Sequence, residues 1–211
     1  MRKSKTLEHI SSADWLRLSC EAKIIKRISS DHYSKAYPIL LDRLKVKNDK
    51  ITWEQAIFAL HVVYGWMPTI PQLKRIMDWP DIEKAKFIDT LNKILTDKNT
   101  DCESFNKVKE FANNSAVGAA KLLHFLSDKD FPIWDSRVAK AFFSRKNVPY
   151  NQINKPTNWK NYTETLREWI EKTDVINRCN EIRSSVSFLD KVSNTRIVEL
   201  VLFHKTKSNK K

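Results

Sequence analysis

Glycine occurs only twice in the 211 residues, at Gly65 and Gly118, and that scarcity closes more routes than any other feature of the chain. Dinucleotide-binding fingerprints and phosphate-cradling P-loops need several glycines at fixed spacing, so that backbone can approach a phosphate with no Cβ in the way. Neither can be assembled here, and the usual nucleotide-dependent enzymology is not expected. Two-residue β-hairpins are short of their preferred turn residues for the same reason.

Helical periodicity takes their place. SSADWLRLSCEAKIIKRISS repeats Trp15, Leu18, Ala22, Ile25 and Ile28 at steps of three or four. SKAYPILLDRLKV predicts a short helix around residues 38–46, with Pro38 in its first turn. TWEQ, Thr52 to Gln55, has capping-box spacing and opens AIFALHVVY, a helix expected to stop at Gly65. Pro71 and Pro80 sit where first-turn prolines start IPQLKRIM and WPDIEKAKFIDTLNKILTD. Beyond DKNTD come a helix near 102–112, then AAKLLHFL, SRVAKAFF, NWKNYTETLREWIEK, VINRCNEIRSSVSFLDKV and TRIVELVLFHK. The expectation is an all-α chain of about ten helices, with residues 1–204 as one domain and 205–211 as a basic C-terminal tail. The stretch 146–158, KNVPYNQINKPTN, reads as the longest loop of the second half, either a lobe boundary or a loop that touches DNA.

Composition limits the partners. An apolar content of 41% with seven tryptophans is ample for a core, and a net charge of +13 favours a polyanion. Nucleic acid is the first candidate and an anionic membrane surface the second. Cys20, Cys102 and Cys179 form no CxxC pair, and the five histidines show no ligand spacing, so neither disulfides nor a metal site is expected. MRKSKTLEHISS has no apolar core of a secretory signal, and no stretch approaches the roughly 18–20 apolar residues of a membrane span. An intracellular, cytoplasmic protein is therefore expected. Asp31, His32 and Ser34 lack the nucleophile elbow that a hydrolase reading needs.

The stretch most suggestive of chemistry is SAVGAAKLLHFLSDKDFPIWDSRVAKAFF, residues 115–143. It sets Lys121 inside an apolar helix and Asp135 at the mouth of the next. From Lys121 to its end the first helix rises about 9 Å, while SDKDFPIW can span up to about 26 Å if extended, so the chain can bring Asp135 back beside Lys121. Asp135-Ser136 is also a good N-cap sequence. A lysine among apolar neighbours loses hydration, which disfavours its charged form and frees the amine as a nucleophile. The competing readings are a lysine that snorkels to water and a plain helix cap. Lys121, His124 and Asp128 share one helix face.

SAVGAAK followed by PIWDSRV resembles the hairpin and catalytic segment of the helix-hairpin-helix DNA glycosylases, and is most similar to the smaller prokaryotic proteins of the 8-oxoguanine DNA glycosylase fold. VYGWMP and FPIWDSRV are supporting phrases, and the matching segment covers residues 113–143. Gly118 matches the second hairpin glycine, Val117 the hydrophobic residue before it, and Asp135 the aspartate that precedes the next helix. Ala116 replaces the first glycine, Ser115 the proline, and Lys121 stands one residue later than the family lysine.

The resemblance implies helices in two lobes around a cleft, and a monomer that flips a modified base out of double-stranded DNA with no cofactor or metal. Oxidised guanine is the default base and a phage-type hypermodified base the alternative. Lys121 would be the nucleophile of a glycosylase and AP lyase, with Asp135 its electrostatic partner. Ser115, Val117, Gly118, Ala119, Arg137 and Lys140 would contact DNA. Trp66, Met67, His124 and Trp134 would line the base pocket. The competing readings are a non-catalytic helical DNA-binding module with a degenerate hairpin and, from charge alone, an RNA-binding protein.

Overall fold

The structure is a computed structural model and describes residues 7–44, 50–67 and 69–206. Among these residues there are thirteen α-helices, one short 3-10 turn and no strand. In chain order the helices are α1 (Ser12–Ser19), α2 (Ala22–Ser30), α3 (His32–Leu44), α4 (Trp53–Trp66), α5 (Leu73–Met77), α6 (Asp81–Asp97) and α7 (Cys102–Phe111). They continue with α8 (Ala116–Leu126), α9 (Ser136–Phe142), α10 (Tyr150–Ile153), α11 (Pro156–Ile170), α12 (Thr173–Ser185) and α13 (Asn194–Lys205).

Local chemistry sets the boundaries. Thr52 and Gln55 form the expected capping box, Gln55 N–H donating to Thr52 Oγ1 at 3.3 Å and Thr52 N–H to Gln55 Oε1 at 2.8 Å. The first periodic segment splits in two at Cys20-Glu21. The Arg178 guanidinium from α12 donates to the Ser19 carbonyl and hydroxyl, so the last turn of α1 is satisfied without continuing. The α3 expectation needs a larger correction: the helix starts at His32, and Pro38 lies inside it. Asp31 organises that start by accepting from Ser34 N–H at 2.9 Å and from the Ser34 hydroxyl at 2.8 Å. An interior proline costs ~3 kcal/mol, a cost offset here by burial of Tyr37, Leu41 and Leu44. The expected end of that helix, near 46, lies outside the described residues. Helix α4 runs one residue past Gly65, to Trp66, and the stretch 146–158 holds α10 and the start of α11.

The turn between α7 and α8 is shorter than expected, since α8 begins at Ala116 and not at Ala119. Asn113 and Asn114 both adopt the left-handed conformation, with φ of 56° and 55°. Asparagine tolerates that region through local hydrogen bonding, so the turn is built without glycine. Asn154 clamps it, its Oδ1 accepting from Ala116 N–H at 2.7 Å and its Nδ2 donating to the Asn114 carbonyl at 3.1 Å. Gly118 lies inside α8 instead, where a Cβ would stand 2.7 Å from the Tyr64 hydroxyl and 3.2 Å from both the Cβ and the carbonyl oxygen of Ala112. Its role is close approach of helices.

Two helices sit at the centre. All but three residues of α8 are buried, and it packs against α3, α4, α7 and α11. Helix α13 is almost wholly buried against α1, α2, α9, α11 and α12. Both central helices carry charge, Lys121 on one and Arg196 with Glu199 on the other. Helix α13 ends at Lys205, one residue into the segment read as a tail, and 207–211 lie outside the described residues. Among the described residues no helix is long and apolar enough to cross a membrane.

Candidate functional site

After α8 the chain returns as the extended segment Phe131–Trp134, and two side chains pin it. His124 Nδ1–H donates to the Phe131 carbonyl at 2.6 Å, and Trp134 Nε1–H donates to the Ile153 carbonyl at 2.8 Å. A carbonyl only accepts, so the Phe131 contact fixes the proton on Nδ1 and leaves His124 Nε2 to accept from the Tyr37 hydroxyl at 2.7 Å. This anchoring delivers Asp135 to the N-cap of α9, where one carboxylate oxygen accepts from the N–H groups of Arg137 and Val138, each at 2.9 Å.

Asp135 and Lys121 meet in one cleft of about 490 Å3. Trp66 and Met67 at the end of α4 wall it, together with the junction of α2 and α3 and the α13 residues Arg196, Glu199 and Phe203. The volume lies in the range of ordinary small-molecule sites. Lys121 Nζ stands 5.1 Å from the centre of the Trp66 ring. Burial pushes its pKa below the usual lysine value; the Asp135 carboxylate opposes that, and the Arg196 and Arg137 cations add to it. Among the described residues Lys121 is in no salt bridge within 4.0 Å, so its amine is not neutralised by a contact pair. Chemically this is a half-buried amine that shares one cleft with an anchored carboxylate beside an aromatic wall.

The floor of the cleft was not foreseen. Arg196 and Glu199, one turn apart on α13, are 3% and 1% exposed and form an ion pair. The guanidinium lies 4.6 Å from the Tyr37 ring centre and 5.5 Å from that of Trp66. A signal for it does exist in the sequence. TRIVELVLF places an arginine and a glutamate at i and i+3 inside an otherwise apolar run, which is the pattern of a buried pair.

The cleft thus gathers Lys121, Asp135, Trp66, Met67 and Arg137 from the predicted residues. Arg137 is held at the rim by the Phe203 ring, 4.8 Å from its guanidinium carbon. Lys140 is half-buried further along α9 and does not line the cleft. His124 and Trp134 are corrections: both are wholly buried and lie behind the wall. They position Asp135 and do not touch the cavity. The hairpin residues also do something other than expected. Ser115 caps α8 by accepting from Gly118 N–H at 3.1 Å, Ala119 N–H donates to the Ser115 carbonyl at 2.9 Å, and both Gly118 and Ala119 are buried. Their amides are already occupied; only Ser115 and Val117 are partly exposed. Among the described residues no group of three His, Cys, Asp or Glu is placed to hold a metal ion. The chain matches no protein-family profile, no curated protein and no solved structure.

Proposed function

We propose that this protein is a lysine-dependent DNA glycosylase with AP-lyase activity, which excises a damaged or modified base from double-stranded DNA. The observation that carries the reading is the meeting of Lys121 and Asp135 in one cleft walled by Trp66. In this reading α7, the Asn113–Asn114 turn and α8 are the hairpin element, and the cleft separates a lobe of α3, α4 and α8 from one of α2, α9 and α13. The protein works as a cytoplasmic monomer, with its excess of 13 positive charges drawing it to DNA. Oxidised guanine is the first substrate to test and a hypermodified base the second.

A base within the duplex cannot reach Lys121, so it turns out of the stack into the cleft. The free amine adds through its lone pair to the sugar C1′. The glycosidic bond breaks, and its electron pair leaves with the base, which takes up a proton. Asp135 faces the positive charge that builds on the sugar, held in place by two backbone N–H groups and so needing no reorganisation. The ammonium formed on addition loses a proton, the ring C1′–O4′ bond opens with protonation of O4′, and a Schiff base results. Loss of a C2′ proton then expels the 3′ phosphate and nicks the strand.

The test is an excision assay on duplexes that each carry one modified base, with base release and strand nicking scored separately. Asp135→Asn should slow base release on the preferred duplex by about 100-fold or more, while binding to undamaged DNA stays near the wild-type level. Wild-type protein that binds every duplex and releases no base would replace this reading with the non-catalytic module.

A further inference from the structure

Lys121 shares its aromatic neighbour with a second cation. The Trp66 ring has Lys121 Nζ 5.1 Å from its centre and the Arg196 guanidinium carbon 5.5 Å away. Arg196 reaches this place from the first turn of a buried helix, and the position is costly. Its Nε–H is buried with no hydrogen-bond partner, and a buried ion pair is commonly no more stabilising than apolar side chains of the same volume. Packing alone does not explain a guanidinium there.

We propose that Arg196 is a positioning residue: clamped by Glu199, Tyr37 and Trp66, its guanidinium keeps a permanent positive charge beside the aromatic ring it shares with Lys121 and so favours the free amine for attack. The inference rests on the reading of Lys121 as the nucleophile. Arginine suits the task because its guanidinium does not lose its proton in proteins. The clamp prevents the side chain from swinging away to water, as a surface cation would.

The charges that face Lys121 are few. Asp135 and Arg137 come from α9, Arg196 and Glu199 from α13, and Asp31 with His32 and the Tyr33 phenol from the junction of α2 and α3. Helix α4 offers only the Trp66 ring and Met67. On α8 and α3, His124 and Tyr37 are joined in a hydrogen bond that leaves both neutral. Burial already disfavours the ammonium form, and Asp135 works against burial by favouring it. Arg196 therefore offsets the carboxylate that the same reaction needs beside the sugar. It lets the cleft hold the Asp135 carboxyl group close to Lys121 without favouring the ammonium form.

The experiment titrates the amine on the intact protein in the absence of DNA. Acetic anhydride is applied in trace amounts across a pH series, and peptide mass spectrometry follows acetylation of each lysine. Lys121 should begin to react at lower pH than the surface lysines. In the paired variant Arg196→Met with Glu199→Leu, which removes both charges together and leaves an apolar core, that onset should move to higher pH. Arg196→Lys, which retains a cation, should keep it near the wild-type position. Arg196→Gln, which can still hydrogen-bond to Glu199, serves as the second charge-removing variant and should shift the onset in the same direction. A Lys121 onset that does not move in folded charge-free variants, or that matches the surface lysines from the start, overturns the proposal. A shifted onset in a protein that excises no base counts against the glycosylase and upholds Arg196.

Discussion

His124 stands one turn beyond Lys121, the nucleophile of the proposed function, and shows how a neighbour can position the cleft without lining it. Both ring nitrogens are committed, Nδ1–H to the Phe131 carbonyl and Nε2 as acceptor for Tyr37, so a second ring N–H would turn the Tyr37 bond round and leave that buried hydroxyl hydrogen without its acceptor. Burial, aided by the Arg196 cation, pushes its pKa from 6.5 down to about 3. The unfolded chain takes up that proton near 6.5, whereas the folded one resists until about 3. The stabilisation is thus complete above 6.5 and is lost as pH falls towards 3. Carboxylates titrate in the same window, so the comparison is with His124→Gln. Urea midpoints of the wild type should fall more steeply than those of the variant between these limits, and the gap between the two should close at acid pH. A gap of constant size would show that His124 is not held neutral by the fold.

At the scale of elements, the two glycines make opposite predictions. Gly65 lies in the last turn of α4 with nothing within 4 Å of a Cβ, so Gly65→Ala should stabilise by up to ~1 kcal/mol through helix propensity. Gly118 is also helical, but there a Cβ would press on the Tyr64 hydroxyl and the Ala112 backbone. The Tyr64 hydroxyl donates to the Ala112 carbonyl at 2.9 Å and cannot withdraw without losing that bond. Gly118→Ala should therefore destabilise by about 1–3 kcal/mol, strain outweighing propensity. Chemical unfolding of the two variants measures both signs, and a Gly118→Ala protein more stable than wild type would refute the packing account. These elements also mark how far sequence reaches. Caps were legible because their chemistry is local: Thr52 with Gln55, and Asp135 ahead of Ser136, need only residues within one turn. Pro38 misled because its local preference for a first turn was overridden by the burial of Tyr37 and Leu41 on the same helix. The hairpin misled because a glycine in sequence suggests a turn, whereas here two asparagines bend the chain and the glycine admits a neighbouring helix.

In the whole molecule, an all-helical fold with Lys121, Asp135, Trp66 and Met67 around one cavity was within reach of the sequence. Helical period and the length of the return segment suggest the fold and the pairing of Lys121 with Asp135, while Trp66 and Met67 followed only from the family resemblance. The burial of Arg196 with Glu199 has a signal in TRIVELVLF, but the place of these residues and of Phe203 in the cleft was not within reach, since they arrive on the last helix and nothing local ties α13 to α8. His124 and Trp134 looked like pocket residues because they adjoin Lys121 and Asp135 in sequence; only packing reveals that they face inward and fasten the segment that carries Asp135. The resulting molecule concentrates its unusual chemistry where its two central helices approach one cleft, a half-buried amine on one and a clamped guanidinium on the other. Whether that amine forms a bond to DNA is open to a single direct measurement. The protein is incubated with duplexes bearing modified bases, reduced with borohydride, digested and mapped by mass spectrometry. Covalent DNA should be found on Lys121 and disappear in Lys121→Gln; an adduct carried by a different lysine, or one that persists undiminished in Lys121→Gln, would contradict the assignment of the nucleophile.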